Sequence, residues 1–380
     1  MAGPTSLPIG APPSDWKTYV LLSILLLAPV YWQPRLQAGD ISSHIYNSWT
    51  SQWIETGRTQ GLVNVYQTTN VLFDLMVSAL FRLGGAEFAQ RVSVSVAVLI
   101  FVWGAFRFIA VVSGRRPWHM IASVAMLAYG WVFHMGFFNF YLSMGLCLWA
   151  LSLAWNSTPR RLALAGPLLV LAYVAHALPV VWAGGLCVYQ LVASRLAAHA
   201  RAYVTAGWFV AMVVLNFVIG KATFTRSTPQ QMKMATGADQ VWVFDGKYYF
   251  VLLGLLVVWG LLFLDLVKLR GAREVVTSIP FQFCAISASA VFILPTTVQL
   301  PGFNHSLVYI SERMSLGVGV CVCAVLAAGV SRRFERYALI AVAVLFFGFL
   351  YRDERVLNAA EDRMESALAR GGSYVESNGR

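Results

Sequence analysis

Asp40 is the residue of this chain best placed to do chemistry. The apolar run Tyr19–Trp32 ends a few residues before Gly39 and Asp40, and an amphipathic stretch carrying Ile41, Ile45, Trp49 and Trp53 follows at once. A carboxylate held at a membrane surface, beside a helix able to lie along that surface, can deprotonate an acceptor next to a lipid-borne substrate. His44 follows at i+4 on the same helical face, with Asn47 and Gln52 further along. The plainer role for Asp40 is an N-cap accepting backbone N–H bonds, worth about 1 kcal/mol, and that role is compatible with catalysis.

Other polar groups sit near the ends of apolar runs. His134 and Asn139 flank Phe137 and Phe138, and with Phe140 and Tyr141 these rings read as an interfacial aromatic belt. His176 precedes Pro179, and Glu312 and Arg313 open a late apolar run. Ionisable groups inside a membrane are functional candidates by default, but at span ends water also satisfies them. Asp265 lies about one turn from Lys268, a local pair, while Asn216 has no evident role. Asn304, His305 and Ser306 match a glycosylation sequon.

The elements that must position these groups are membrane helices. The chain has 380 residues, 58% hydrophobic and 12% charged, against about 25% charged in soluble domains. Mean hydropathy is +0.65, and apolar runs near the ~20 residues of a span recur from end to end. That composition predicts an all-α, polytopic transmembrane bundle; a β-barrel would show alternating runs of about 10 residues. Leu36 stands where a signal-peptide cut after Ala38 needs a small residue, so the first run reads as an uncleaved span. The net charge of +11 resides mostly in short loops, where it sets orientation and speaks for no nucleic-acid partner. The five cysteines, Cys147, Cys187, Cys284, Cys321 and Cys323, all lie in apolar runs, which predicts neither disulfides nor a zinc site. No Walker loop, dinucleotide fingerprint or HExxH pattern occurs.

Spans are expected near 17–33, 87–112, 118–134, 137–155, 161–176, 178–195, 203–220, 248–267, 275–297, 314–331 and 337–351. The run Asn70–Gly84 is barely long enough to cross and carries Asp74 and Arg82. If it lies at the interface, the clusters Arg115-Arg116, Arg160-Arg161, Arg195 with Arg201, Lys268 to Arg273, and Arg332 to Arg336 all face the cytoplasm. If it crosses, all five move outside, against the positive-inside bias. The reading is therefore about eleven spans in one membrane domain, 1–351, N-terminus cytoplasmic and C-terminus outside, in a bacterial inner membrane. The outer loops are 33–87, 221–247 and 299–313. A polar tail, 352–380, is expected as a short helix over Arg355–Arg370 followed by disorder through Gly371 and Gly372.

The arrangement resembles the C-type (GT-C) superfamily of integral-membrane glycosyltransferases. Their first span likewise ends in an acidic residue, here Asp40 after Gly39, and surface-lying helices follow, like Ile41–Gly57 and Asn70–Gly84. The passage from Asn70 through Asp74, Arg82 and Phe88 to Arg91 is similar to their loop into the second span, and the turn Gly114–Pro117 resembles their next cytoplasmic turn. The resemblance is best over 17–155 and architectural beyond.

It implies sugar transfer from a polyprenyl-phosphate donor to an acceptor hydroxyl on the outer side, with inversion and with Asp40 as general base. The leaving phosphate needs a cationic partner. Arg313 is the first choice, with Arg226 and Lys233 second; for Arg313 the competing role is snorkelling beside Glu312. His44, Asn47, Asn70, His134, Asn139, His305 and Glu312 complete the candidate substrate-binding set.

No second acidic residue lies near Asp40 in sequence, so neither the paired carboxylates of some relatives nor a metal cofactor is expected. The lack of a large C-terminal domain favours a small or lipid-attached acceptor, or recognition by the loops alone. Two other readings stay open. A transporter would show internal repeats and mid-membrane charges, which are scarce here. A lipid-linked glycan ligase or polymerase would lean on Arg226, Lys233 and His305 instead of Asp40.

Overall fold

A computed structural model describes residues 16–59, 61–63, 67–155, 158–302 and 306–378, the last eight by backbone alone. The helices are α1 (Trp16–Tyr31), α2 (Ile41–Glu55), α3 (Leu72–Ser113), α4 (Ile121–Ala128), α5 (Trp131–His134), α6 (Phe138–Ala154), α7 (Pro159–Ala175), α8 (Ala177–Ala193), α9 (Ala198–Ala222), α10 (Tyr248–Arg270), α11 (Ala272–Val276), α12 (Ile279–Ile293), α13 (Ile310–Leu326) and α14 (Arg333–Asn378). Among the described residues the only sheet is an antiparallel ribbon of β1 (Phe224–Arg226) and β2 (Thr297–Gln299). The all-α expectation holds.

Among the described residues, four helices are long and apolar enough to cross a membrane: α3, α9, α10 and the Arg333–Arg370 part of α14. Several shorter apolar helices accompany them, among them α1, α6, α8 and α12. Each apolar run expected to span carries helix, with two departures. The run 275–297 is interrupted at Thr277 and Ser278, between α11 and α12. The run 118–134 breaks at Tyr129 and Gly130 into α4 and α5. Gly130 is forced there, because a Cβ would meet the Gln240 carbonyl oxygen at 2.8 Å.

Gly85 splits α3. Its φ of 78° and ψ of −171° are non-helical, in a region that glycine alone enters without strain. The segment 72–84 is thus a separate helix from 86–113, as the Asn70–Gly84 reading anticipates. Below the kink α3 packs on α6 through small residues, the usual device of membrane helix pairs. A Cβ on Gly104 would meet the Gly145 carbonyl oxygen at 2.6 Å, and one on Gly145 would meet Phe101 Cα at 2.8 Å.

The tail departs from expectation. Span and tail form one continuous helix, α14, through Asn378. Good helix formers fill it, and the segment after Tyr31 grips it. Arg35 reaches Asp362 at 2.6 Å and Glu365 at 2.7 Å. The Asn358 side chain accepts from Arg35 N and donates to Arg35 O, and Trp32 donates to Glu354.

The contacts sort polar groups to the two ends of the bundle. At one end, arginines cover the carbonyls that helix C-termini leave unpaired. Arg115 donates to Ala327 O, Arg270 to Ala328 O and Arg201 to Ala193 O, while Arg332 pairs with Asp265. Asp265 therefore pairs with Arg332, not with Lys268. At the other end of the same long helices lie Asp40, Asp74, His134, Asn139, His176, Arg313 and Asp353.

Candidate functional site

A cavity of about 920 Å³ opens at that second end, between α2, the 72–84 segment of α3, the start of α6 and the first turn of α13. Asp40 lies in its wall. The residue occupies the N-cap position of α2, yet its side chain makes no capping hydrogen bond. The carboxylate is exposed and free of the capping role that residue type alone suggests.

The backbone of Asp40 is held firmly. Gly39 N donates to His134 O at 2.8 Å and Asp40 N to Met135 O at 3.2 Å. The third tie is His134, whose Nδ1 meets Gln37 O at 2.8 Å. Gly136, at φ 79°, lies directly beneath: a Cβ there would come within 2.3 Å of Asp40 N. His134 is therefore a buried support for the loop and does not line the cavity, contrary to its expected place in the substrate-binding set.

Opposite Asp40 the cavity contains a second carboxylate, Asp74, which the sequence reading did not place near it. His44 turns to Asp74, Nδ1 to Oδ1 at 2.6 Å, and not to Asp40. The Phe73 ring meets the imidazole edge-on, with centroids 5.1 Å apart. Asn139 fixes the carboxylate from the other side. Its Nδ2 donates to Asp74 Oδ2 at 2.6 Å and to Asn70 O at 3.1 Å, while its Oδ1 accepts from Phe73 N at 2.8 Å. All the hydrogen-bonding capacity of that amide group but one lone pair is accounted for. Among the described residues no group of three or more His, Cys, Asp or Glu is arranged to hold a metal ion.

Arg313 closes the Asp40 end. Its guanidinium lies over the Phe137 ring, Cζ 3.8 Å from the centroid. Its Nε is buried without a partner, and the charge of Asp40 acts on it without a direct ion pair. His176 is the nearest neighbour, with Nε2 3.5 Å from Arg313 Nη1. As N-cap of α8 its Nδ1 accepts from Leu178 N at 3.2 Å, so the neutral ring carries its proton on Nε2. Two donors thus stand side by side with no acceptor between them. Such a pair of donors has the chemistry to take an anionic group.

Asn47 and Asn70 also line the cavity. Arg226, Lys233 and Glu312 do not. Arg226 lies in β1, where its neighbours pair with β2. Lys233 sits over the Trp242 ring at 5.9 Å, and Glu312 accepts from Thr296 Oγ1. His305 and Asn304 of the sequon lie outside the described residues.

The far wall carries a pattern that candidate-by-candidate reading missed. Ser43, Asn47, Ser51 and Glu55 recur every four residues along α2, and Asp74, Ser78 and Arg82 do so along α3. Both stripes face the cavity. Arg82 closes it at the far end, its Nη2 reaching both oxygens of Glu55 at 2.7 and 2.8 Å. The i, i+4 spacing was the available signal. On the other face of α2, Tyr46, Trp49 and Trp53 stack successively, with centroids 5.7 and 4.0 Å apart.

No protein-family model, curated protein or solved structure matches this chain.

Proposed function

We propose that the chain is a membrane glycosyltransferase that moves a sugar from a polyprenyl-phosphate donor to an acceptor hydroxyl on the extracytoplasmic side. The observation that carries this reading is that Asp40 and Arg313 share one cavity, the carboxylate uncapped and the guanidinium lacking an acceptor at Nε. The donor phosphate sits between Arg313 and His176 Nε2. The acceptor oxygen attacks the anomeric carbon from the Asp40 side and gives its proton to that carboxylate. The bond from the anomeric carbon to the phosphate oxygen breaks, and its electron pair leaves with polyprenyl phosphate, where Arg313 stabilises the developing charge. Attack opposite the leaving group inverts the anomeric centre.

The orientation follows from the same reading. About eleven spans place the arginine-capped end in the cytoplasm, as the positive-inside bias favours, and the cavity outside, in a bacterial inner membrane. The ligase or polymerase alternative leans on Arg226, Lys233 and His305; the first two lie away from the cavity, His305 is outside the described residues, and no repeat supports transport.

The test is transfer from a labelled polyprenyl-phosphate sugar by protein in lipid nanodiscs, wild type against Asp40→Asn. The substitution is expected to lower the rate by about 10²–10⁴-fold. Wild-type turnover by Asp40→Asn at matched folding would end the mechanism.

A further inference from the structure

We propose that the trough between α2 and the 72–84 segment binds a neutral, extended glycan, which the enzyme uses as its acceptor. The inference rests on the glycosyltransferase reading only for the word acceptor; the binding claim stands on the trough itself. α2 has 15 residues, so at 1.5 Å per residue the trough runs about 22 Å from Asp40 to Glu55. That is room for several sugar residues in line, with the terminal hydroxyl at Asp40.

The walls select the chemistry. In a chain that is 58% hydrophobic, most residues lining the trough carry hydroxyl, amide or charged groups, and carbon surface from the side-chain stems, Ile54, Leu75 and the rings of Phe137, Phe138 and Phe140 lies between them, a mixture that suits both the hydroxyls and the apolar faces of sugars. Ser43, Asn47 and Ser51 face Ser78 across it. Thr50 adds a buried Oγ1 that has no partner, an atom whose desolvation a ligand hydroxyl would offset.

Away from Asp40 and Arg313 at the catalytic end, the ionisable groups along the trough already hold hydrogen-bonded partners. His44 meets Asp74 at one end, and Glu55 meets Arg82 at the other. A charged polymer would have to break these pairs; a neutral polyhydroxylated one need not. A lipid acceptor would strand the polar walls. A peptide would look for a strand edge or a groove for its own helix, but these walls are helices with their backbone groups already paired. Side-chain hydroxyls and amides on two parallel stripes are what a chain of sugar hydroxyls can match.

Binding is measured without donor, so that it stands apart from transfer. The full chain in nanodiscs is titrated with linear glucan, mannan, arabinan and β-1,4-linked N-acetylglucosamine series, from one sugar to six, by calorimetry and saturation-transfer NMR. In at least one series the dissociation constant is expected to tighten about ten-fold or more between one sugar and four. Asn47→Leu and Ser51→Leu should abolish that gain, with the melting temperature of each variant as the folding control. Flat affinity with length in every series overturns the proposal, as does a gain that both variants retain. Length-dependent binding without transfer from a polyprenyl-phosphate sugar supports the trough and removes the enzymatic reading; transfer without length dependence removes the trough alone.

Discussion

Asn139 Nδ2 donates to Asp74 Oδ2 over 2.6 Å, joining α6 to α3 across 65 residues of sequence. The same side chain accepts from Phe73 N, capping the helix that carries the carboxylate it holds. One amide therefore fixes both the position of the 72–84 segment and the direction in which Asp74 presents its other oxygen to His44. Because His44 lies on α2, the network ties α2 to the rest of the bundle beside the candidate base.

Replacing Asn139 tests that coupling. Asn139→Ala leaves the Phe73 N–H buried with no acceptor, at a cost of about 1–3 kcal/mol. The melting temperature of the purified variant should fall, and hydrogen exchange should accelerate over 70–78. An unchanged exchange rate there would mean that the amide does not anchor the segment.

Gly136 offers the cleanest local perturbation of Asp40. A methyl group would meet Asp40 N at 2.3 Å in a backbone conformation that already disfavours L residues. Gly136→Ala should displace Asp40 by about 1 Å and lower transfer by about 10²-fold. Gly166→Ala is the matched control, since a methyl there meets nothing within 4 Å. Equal activity of the two variants would remove the packing argument.

Arg313→Lys keeps the charge but loses the planar donor set that lies over Phe137. Transfer should fall by about 10–10³-fold, with KM for the polyprenyl-phosphate donor rising and binding of neutral acceptor unchanged. A loss confined to acceptor affinity would move Arg313 out of the phosphate site.

Much of this was legible in the sequence. The apolar runs located the helices, because membrane helices must be long and continuous to satisfy their backbone in lipid. Gly39 and Asp40 gave the loop, and charge bookkeeping separated 70–84 from the span that follows. The pairing of His44 with Asp74 was not legible. It depends on how α3 packs on α6 through Gly104 and Gly145, and no local period encodes that contact. His134 shows the limit of reading a polar residue near a span end: it is buried, its Nδ1 bonds Gln37 O and its Nε2 has no partner, a placement that no local spacing encodes. The docked tail was missed because a mixed-charge sequence after a span looks solvated until its partner, Arg35, is known.

Arg35 holds Asp362 and Glu365 on a largely exposed face, so each pair contributes little alone. Together with the Asn358 bonds they restrain the segment leading to Asp40. Arg35→Ala should raise hydrogen exchange over 33–38 and lower transfer a few-fold. High salt should reproduce part of the effect in wild type and add little in the variant. Identical exchange in wild type and variant would show that the tail is not a brace.

Asp239 sets a pH dependence of stability. It lies in the short turn Ala238–Val241 that packs on α13, in the loop outside the spans. Its Oδ2 accepts from Ser315 Oγ at 2.7 Å, and its Oδ1 is buried without a partner. Burial pushes the carboxyl from its ordinary 3.8 up to about 7; the charge of Glu312 adds to the rise, and the bonds from Ser315 and Gln240 oppose it. The folded chain therefore binds this proton more tightly than the unfolded chain. Between about pH 4 and pH 7 the folded state holds more protons, so stability falls as pH rises through that window and levels off above it. The loss at neutral pH is on the order of 1–4 kcal/mol. Asp239→Asn keeps the shape without the charge, so the variant should gain on wild type as pH rises from about 4 to about 7. Thermal unfolding of both proteins in nanodiscs across that range measures the difference directly, and a wild-type-minus-variant curve that is flat or rises with pH would contradict the assignment.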